Sequence, residues 1–404
     1  MIYQCQKKRE NPIRSEGHVQ FVVDENIPFA REAFSHLASV TLLPGRGITR
    51  GAIRKAHALI VRSVTKVDAA LLASTNVQFV GTATTGVEHI DREYLAAHNI
   101  GFAAALGCNA NAVAEYVLTA LLVTAHTKEL SLNGKTLGII GAGRIGSIVA
   151  VKAPALGMQT LLNDPPLARA TGDQRYLSLA ETLQADFITL HVPLTYDGPD
   201  ATFHLIGADE LARMTPSAIL INTSRGEVVD NTALLGAVTK GTIGGAVLDV
   251  WEREPAINWD LLDRGTLGTP HIAGYSSDGK INGTVMVYHA CCGFWGIEPA
   301  WVPPDPPAAP APGALPHLAF DATGKDFQTL AHDILTTLYD LPADHARMRD
   351  ILAVPEPLRP QAFDRLRRDY PHRREFAGSP ISITGGDRNL LARLQALGIR
   401  TGGP

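Results

Sequence analysis

Short apolar runs, each closed by polar or glycine-rich residues, recur along the chain as far as residue 294 and alternate with helix-like stretches. Residues 18–23, 58–62 (ALIVR) and 77–81 (VQFVG) read as strands, and an amphipathic run at 29–37 follows the break DENIP. A helix is expected from about Ala112, capped by Asn111, with Val113, Val117, Leu118, Leu121 and Leu122 on one face; it connects two domains. The pattern then repeats, with strands at 136–140, 158–162, 186–192, 217–222, 245–248 and 266–270. Helix-like runs at 179–184, 207–214, 231–238 and 280–294 fall among and after them. Strands alternating with helices imply parallel sheets.

Beyond this region the pattern changes. Residues 299–316 (PAWVPPDPPAAPAPGALP) form a semi-rigid proline-rich linker. Helices are expected at 327–338 and, with a basic character, at 360–369, and a short strand at 381–383. The expected fold is α/β: two doubly wound, parallel-sheet, Rossmann-like domains plus a small α+β C-terminal domain. Residues 18–110 with 275–298 form the first domain, 111–274 the second and 317–404 the third. Residues 1–17 carry Lys7, Lys8, Arg9, Glu10 and Arg14 without an apolar core, so they read as a disordered extension and not as a signal peptide.

Composition narrows the class. The chain has 404 residues, enough for two or three domains, with 45% hydrophobic and 19% charged residues. A net charge of -4 and the lack of a long basic run argue against a nucleic-acid partner. No stretch has the length and apolarity of a membrane span. Cys5, Cys108, Cys291 and Cys292 lack metal-ligand spacing and read as reduced thiols of a cytoplasmic protein.

Candidate chemistry centres on residues 135–164 (KTLGIIGAGRIGSIVAVKAPALGMQTLLND), which read as strand, glycine turn, helix, strand and acid. Gly141 permits the tight turn, Gly143 lets a pyrophosphate approach the backbone, and Gly146 lets helix and strand pack closely. The helix start at Arg144 and Ile145 turns free N–H groups and a positive dipole end toward phosphates. Asp164 would accept hydrogen bonds from the adenine-ribose hydroxyls and repel a 2'-phosphate, which favours NAD over NADP. Pro154 should kink or shorten the helix.

Ligands in such sheets bind beyond the carboxyl ends of the strands. Arg62, Ser63 and Thr84 stand at such ends, where ordinary turn chemistry is an equal reading. Arg225, Glu254 and His271 follow successive elements of the second sheet and should share the edge of the glycine turn. Transfer of a hydride to a nicotinamide needs a base for the hydroxyl proton and a cation for a substrate carboxylate. His271 suits the base, Glu254 would orient its ring, and Arg225 offers a planar fork. Singly, each has a plainer reading: a loop histidine, a helix N-terminal acid before Pro255, a surface cation. His191 is a rival base that fits the cofactor site better.

At these residues the chain resembles the D-isomer-specific 2-hydroxyacid dehydrogenases over residues 18–295, through NTSRGEVVD, LDVWEREP and the placing of His271. VDENIPFAREAF, VRSVTKV, FVGTATTGVEHID, GCNANAVAEYV, LTYDGPDATFHL and GTPHIAGYSSDGK resemble one branch of that family, which acts in vitamin B6 biosynthesis. The resemblance implies oxidation of a small phosphorylated hydroxy acid, 4-phospho-D-erythronate, to 2-oxo-3-hydroxy-4-phosphobutanoate with NAD. It makes Arg225, Glu254 and His271 catalytic, and gives Ser63, Thr84 and Tyr275 to the substrate. It gives Asp164, Thr223, Ser224, Arg225, Asp249 and Gly274 to NAD, with no metal, and a homodimer formed through the C-terminal domain. Leu106 and Val192 depart from the family pattern, where proline and threonine are usual. Other readings are a dehydrogenase for 3-phosphoglycerate or glycerate, and an NAD-sensing binding protein without turnover.

Overall fold

The computed structural model describes residues 19–304 and 318–402. The expected extension at 1–17, Cys5 and the linker from 305 to 316 lie outside the described residues. The chain divides into two compact units. One runs to Asn109 and resumes from Ser276; the other is Ala110–Tyr275 together with the C-terminal part.

The first unit holds β1 (Gln20–Asp24), β2 (Ser39–Leu43), β3 (Ala58–Val61), β4 (Phe79–Thr82) and β5 (Gly101–Ala104), all parallel, in the order β2-β1-β3-β4-β5. Phe21, Ile60 and Phe79 face the helix Ser277–Trp295 through Tyr288 and Trp295, while Val22, Leu59, Val61 and Val80 face Ile53, Leu72 and Leu95. Both faces are covered, so the strands read as continuous apolar runs instead of alternating ones. The strands β2 and β5 lie at the sheet edges and are partly exposed, which hid them in the apolar pattern. The helix expected at 29–37 shortens to Ala30–Phe34, because Phe29 sits in the left-handed region at φ 54°.

The second unit holds β6 (Thr136–Ile140), β7 (Gln159–Asn163), β8 (Phe187–Leu190), β9 (Ile219–Asn222), β10 (Gly245–Leu248) and β11 (Leu267–Gly268), also parallel, in the order β11-β10-β9-β8-β6-β7. Strand order reverses between β6 and β8, and a doubly wound sheet opens its ligand crevice at such a switch point. The glycine turn leaves the carboxyl end of β6. The following helix, Arg144–Lys152, gives way to a tight turn over Ala153–Leu156 at Pro154, as that proline leads one to expect. The helix Pro165–Thr171 was masked in the sequence by its two prolines, which are tolerated here in the first turn after the Asp164 cap.

The helix Ala110–Thr127 begins before Asn111, so Asn111 is not its cap. The Asn111 side chain is instead engaged inside the fold: it donates to Glu115 (2.9 Å) and Glu375 (2.7 Å) and accepts from Lys152 (2.8 Å). The helix is buried nearly all round, beyond the single face that its sequence shows. The C-terminal part supplies the second cover. It comprises β12 (Leu318–Asp321), β13 (Ile381–Thr384) and β14 (Thr401–Gly402) in one small parallel sheet, with helices Phe327–Leu338, Leu341–Asp350, Arg359–Arg368 and Arg388–Ala396. Leu330, Ile334 and Leu335 share a core with Val113, Tyr116 and Val117, and Met348, Ile351 and Phe363 share one with Trp251 and Leu261. Among the described residues no helix is long and apolar enough to cross a membrane, and Cys108, Cys291 and Cys292 are free thiols.

Glu115 is fully buried in the helix Ala110–Thr127. It accepts from Phe376 N–H at 2.9 Å and lies 3.9 Å from the Arg373 guanidinium. Burial, against the pull of Arg373, pushes its carboxyl up to about 8. The folded state therefore keeps a proton that the unfolded chain releases near the ordinary 4.5, so this group's contribution to stability falls as pH rises from there to about 8. Urea unfolding of Glu115→Gln across that window should show the variant gaining on the wild type as pH rises; a constant difference would refute the shifted carboxyl. A Cβ at Gly146 would lie 2.0 Å from the Gly141 carbonyl oxygen, whereas one at Gly236 would meet nothing within 4 Å. Gly146→Ala should therefore cost about 1–3 kcal/mol or more by overpacking. Gly236→Ala, inside the helix Asn231–Lys240, should gain roughly 0.5–1 kcal/mol.

Candidate active site

The cofactor residues expected from the sequence gather at the carboxyl ends of β6 to β10. Gly141 turns at φ 90° against the His191 backbone, and Gly143 starts the helix Arg144–Lys152 without a side-chain cap. A Cβ on Gly143 would meet no atom within 4 Å, so the space above the exposed helix start is open to a diphosphate. Arg144 flanks it in solvent, and Ile145 is half-buried below. Asp164 follows β7; it accepts from Ala142 N–H (2.9 Å) in the glycine turn and from Leu167 N–H (3.0 Å). One carboxylate thus ties the turn to the next helix and keeps its place beside the expected ribose position. These residues suit a dinucleotide.

His191 follows β8. Its ring nitrogens meet the hydroxyls of Thr189 (3.0 Å) and Thr223 (3.4 Å), and burial pushes the imidazole down to about 3. A ring that stays neutral at working pH lines a site better than it accepts a proton from an alcohol. Thr223 and Ser224 follow β9 and are nearly buried. Asn222, which the sequence reading passed over, organises them: it accepts from Ser224 N–H (3.0 Å) and Ser224 Oγ (2.8 Å) and donates to the Arg225 carbonyl (2.9 Å). The Arg225 guanidinium donates to the Ser224 carbonyl at 2.7 Å.

At the end of β10 the Asp249 carboxylate accepts from Thr269 Oγ1 (2.7 Å), Ile272 N–H (2.7 Å) and Ala273 N–H (2.9 Å). The Asp249 carbonyl accepts from His271 N–H at 2.7 Å. This holds the loop that carries His271, Gly274 and Tyr275, with His271 in the left-handed region at φ 58°. His271 Nδ1 then meets Glu254 Oε2 at 2.8 Å, and Glu254 Oε1 accepts from Trp251 N–H at 3.0 Å. Burial works to raise the Glu254 carboxyl, but His271, Arg367 and the Trp251 N–H outweigh it and hold the group below its ordinary value. Glu254 therefore stays an acceptor and directs a proton to Nδ1, which leaves Nε2 as the basic nitrogen.

In the first unit Ser63 is exposed after β3, and Thr84, after β4, bonds the Thr82 hydroxyl (2.8 Å) and donates to the Gly86 carbonyl (3.1 Å). The two neighbouring strands carry both hydroxyls out at the same sheet end. The sequence reading missed the C-terminal contribution. Arg373 donates to the carbonyls of Ala273 (2.8 Å) and Tyr275 (3.3 Å), and Tyr370 packs edge-on against the Tyr275 ring. The basic character of residues 359–374 was the available signal.

Residues 109–273 match the family model described as D-isomer specific 2-hydroxyacid dehydrogenase, NAD binding domain, and residues 312–398 match one described as a domain of unknown function (DUF3410). The erythronate-4-phosphate dehydrogenase of Hahella chejuensis is 42% identical over 384 residues, covering 94% of this chain and 98% of that protein. The protein of the same name from Salmonella arizonae is 43% identical over 382 residues, with the same coverage of 94% and 98%. Among solved structures, the TT0316 protein from Thermus thermophilus superposes with a TM-score of 0.60 at 28% identity, covering 70% of this chain and 98% of that one. D-Lactate dehydrogenase from Aquifex aeolicus, complexed with NAD and lactic acid, superposes at 0.57 with 27% identity, covering 68% and 95%. With its NAD-binding domain built on β6 to β11 and its near full-length relatives, the chain belongs to the erythronate-4-phosphate dehydrogenases of the D-isomer specific 2-hydroxyacid dehydrogenase family.

Proposed function

We propose that this chain oxidises 4-phospho-D-erythronate to 2-oxo-3-hydroxy-4-phosphobutanoate with NAD, in the synthesis of pyridoxal 5'-phosphate. The observation that carries the reaction is the 2.8 Å bond between His271 Nδ1 and Glu254. With Nδ1–H held by that carboxylate, Nε2 takes the C2 hydroxyl proton as the C2 hydride leaves and the C2–O bond becomes a carbonyl. The nicotinamide supplies the hydride acceptor. Arg225 clamps the substrate carboxylate through its planar fork. Ser63, Thr84 and Tyr275 bind the substrate, and Arg46 or Arg62, with first-unit N–H groups, meets the 4-phosphate. Gly141, Gly143, Arg144, Ile145 and Gly146 cradle the diphosphate, with Thr223, Ser224 and Gly274 beside the dinucleotide. Asp164 binds the adenine ribose and repels a 2'-phosphate. Asp249 acts on the cofactor side through the loop it holds.

The substrate assignment is supported by the near full-length similarity to proteins of that name, which takes in the first unit. We place the enzyme in the cytoplasm as a homodimer formed through the C-terminal part, a reading that rests on family resemblance.

NADH should form when the purified chain meets 4-phosphoerythronate and NAD, with kcat/KM above that for 3-phosphoglycerate or glycerate. A preference for either of those would move the substrate assignment, and no turnover on any of them would favour a binding protein. His271→Ala should lower kcat by roughly 10²–10⁴, the usual contribution of an acid–base group, and leave NAD affinity in equilibrium titration little changed. Near-normal turnover would remove His271 from its role.

A further inference from the structure

The C-terminal part places a cation beside the Glu254–His271 pair. The helix Arg359–Arg368 carries Arg365, Arg367 and Arg368 in its last turn. Arg368 is 71% exposed and pairs with its neighbour Asp369 at the surface. Arg367 is less exposed, at 27%, and brings Nη1 to 3.9 Å from Glu254 Oε2, the same oxygen that meets His271 Nδ1. The Tyr275 phenol lies near enough to favour the charged guanidinium. Taking a guanidinium out of water is costly unless acceptors and negative charge meet it. Here the negative charge is the Glu254 carboxylate, with the Tyr275 phenol nearby, both of the candidate site, while Arg367 Nε is buried without a hydrogen-bond partner.

The arrangement has a mechanical sense. Glu254 Oε1 is held by Trp251 N–H, and Oε2 meets His271 Nδ1 at 2.8 Å and Arg367 Nη1 at 3.9 Å. The carboxylate plane, and with it the imidazole, is therefore set from both ends. A guanidinium can reach Glu254 and Tyr275 at once because its donors spread in a rigid fork; an ammonium presents one point charge. Arg373 and Tyr370 hold the backbone and ring of Tyr275, so Arg367 acts on a loop already anchored.

We propose that Arg367 is a positioning residue for the reaction at His271: the C-terminal part, through this guanidinium, orients Glu254 and Tyr275 and so aims the imidazole. The inference rests on the dehydrogenase reading above.

The test compares full-length Arg367→Met, Arg367→Lys and wild type. Arg367→Met should keep the wild-type NAD affinity and lose kcat by roughly 10–100-fold, the range seen when the outer partners of metal-ligating histidines are removed. The acid limb of its kcat/KM profile should move to higher pH, because the Glu254–His271 pair loses a neighbouring cation. Arg367→Lys should recover the position of that limb more than the rate, since it restores charge without the fork. A second readout needs no substrate: the His271 imidazole signal, assigned by its loss in His271→Ala, should titrate at higher pH in Arg367→Met than in wild type. A folded Arg367→Met with unchanged kcat, limb and imidazole titration overturns the proposal. So does a variant whose only change is a lower Tm. Should Arg367→Met fail to fold, Arg367→Gln carries the same readouts with the same outcomes. Absence of NADH formation by wild type would sink the dehydrogenase reading instead, and the imidazole titration would then decide the Arg367 contact alone: unmoved, it overturns it.

Discussion

A carboxylate buried at the end of β10 holds the loop on which the candidate chemistry sits. Asp249 is 1% exposed, and a charge so placed is costly unless donors surround it. Thr269, Ile272 and Ala273 supply those donors, and the Asp249 carbonyl takes the His271 N–H. The loop must then curl around one residue, which forces His271 into a left-handed backbone that costs an L-residue roughly 1–2 kcal/mol. That conformation brings Nδ1 onto Glu254. The strain and the dyad have a common origin: a sheet end whose acceptor needs several N–H groups from a short stretch.

The second constraint is the double cover of the helix Ala110–Thr127. Val113, Val117, Leu118, Leu121 and Leu122 of its apolar face are buried, and Ala112, Ala114, Thr119 and Ala120 are buried as well. Leu330, Ile334 and Leu335 of the helix Phe327–Leu338 lie in the same cluster as Val113 and Val117, so the C-terminal part shares a core with the NAD-binding domain. Around that seam lies a polar set of Asn111, Glu115, Lys152, Arg373 and Glu375. Arg373 continues from it to the carbonyls of Ala273 and Tyr275. One run of buried and half-buried polar contacts thus leads from the end of the glycine-turn helix, at Lys152, to the loop beside His271. A segment without a catalytic motif of its own is bound into the region where the motifs meet.

Much of this was legible in the chain itself. The apolar runs at 58–62, 136–140, 217–222 and 245–248 correspond to β3, β6, β9 and β10, because parallel strands covered on both faces must be continuously apolar. The glycine turn and the family membership were legible for the same reason: close backbone approaches leave only a few residue types possible at each position. Of the edge strands, β7 and β11 corresponded to expected runs, but β2 and β5 did not, since they bury too little side chain to leave a pattern. The helix Pro165–Thr171 was hidden because proline punctuates or starts a helix according to a cap that only Asp164 in its folded place supplies.

The candidate site divides along the same line. Arg225, Glu254 and His271 could be selected from the chain, since each follows an element that a parallel sheet carries to one edge. Their mutual geometry could not. Whether Glu254 meets His271 at 2.8 Å depends on Asp249 and a loop conformation that no local preference dictates. The approach of Arg367 and Arg373 depends on contacts about a hundred residues apart in sequence. Residue type and local pattern determined which chemistry this chain can carry and which strands carry it. Only the tertiary structure decided how the groups face one another, because burial and long-range hydrogen bonding act between segments that sequence periodicity treats as independent.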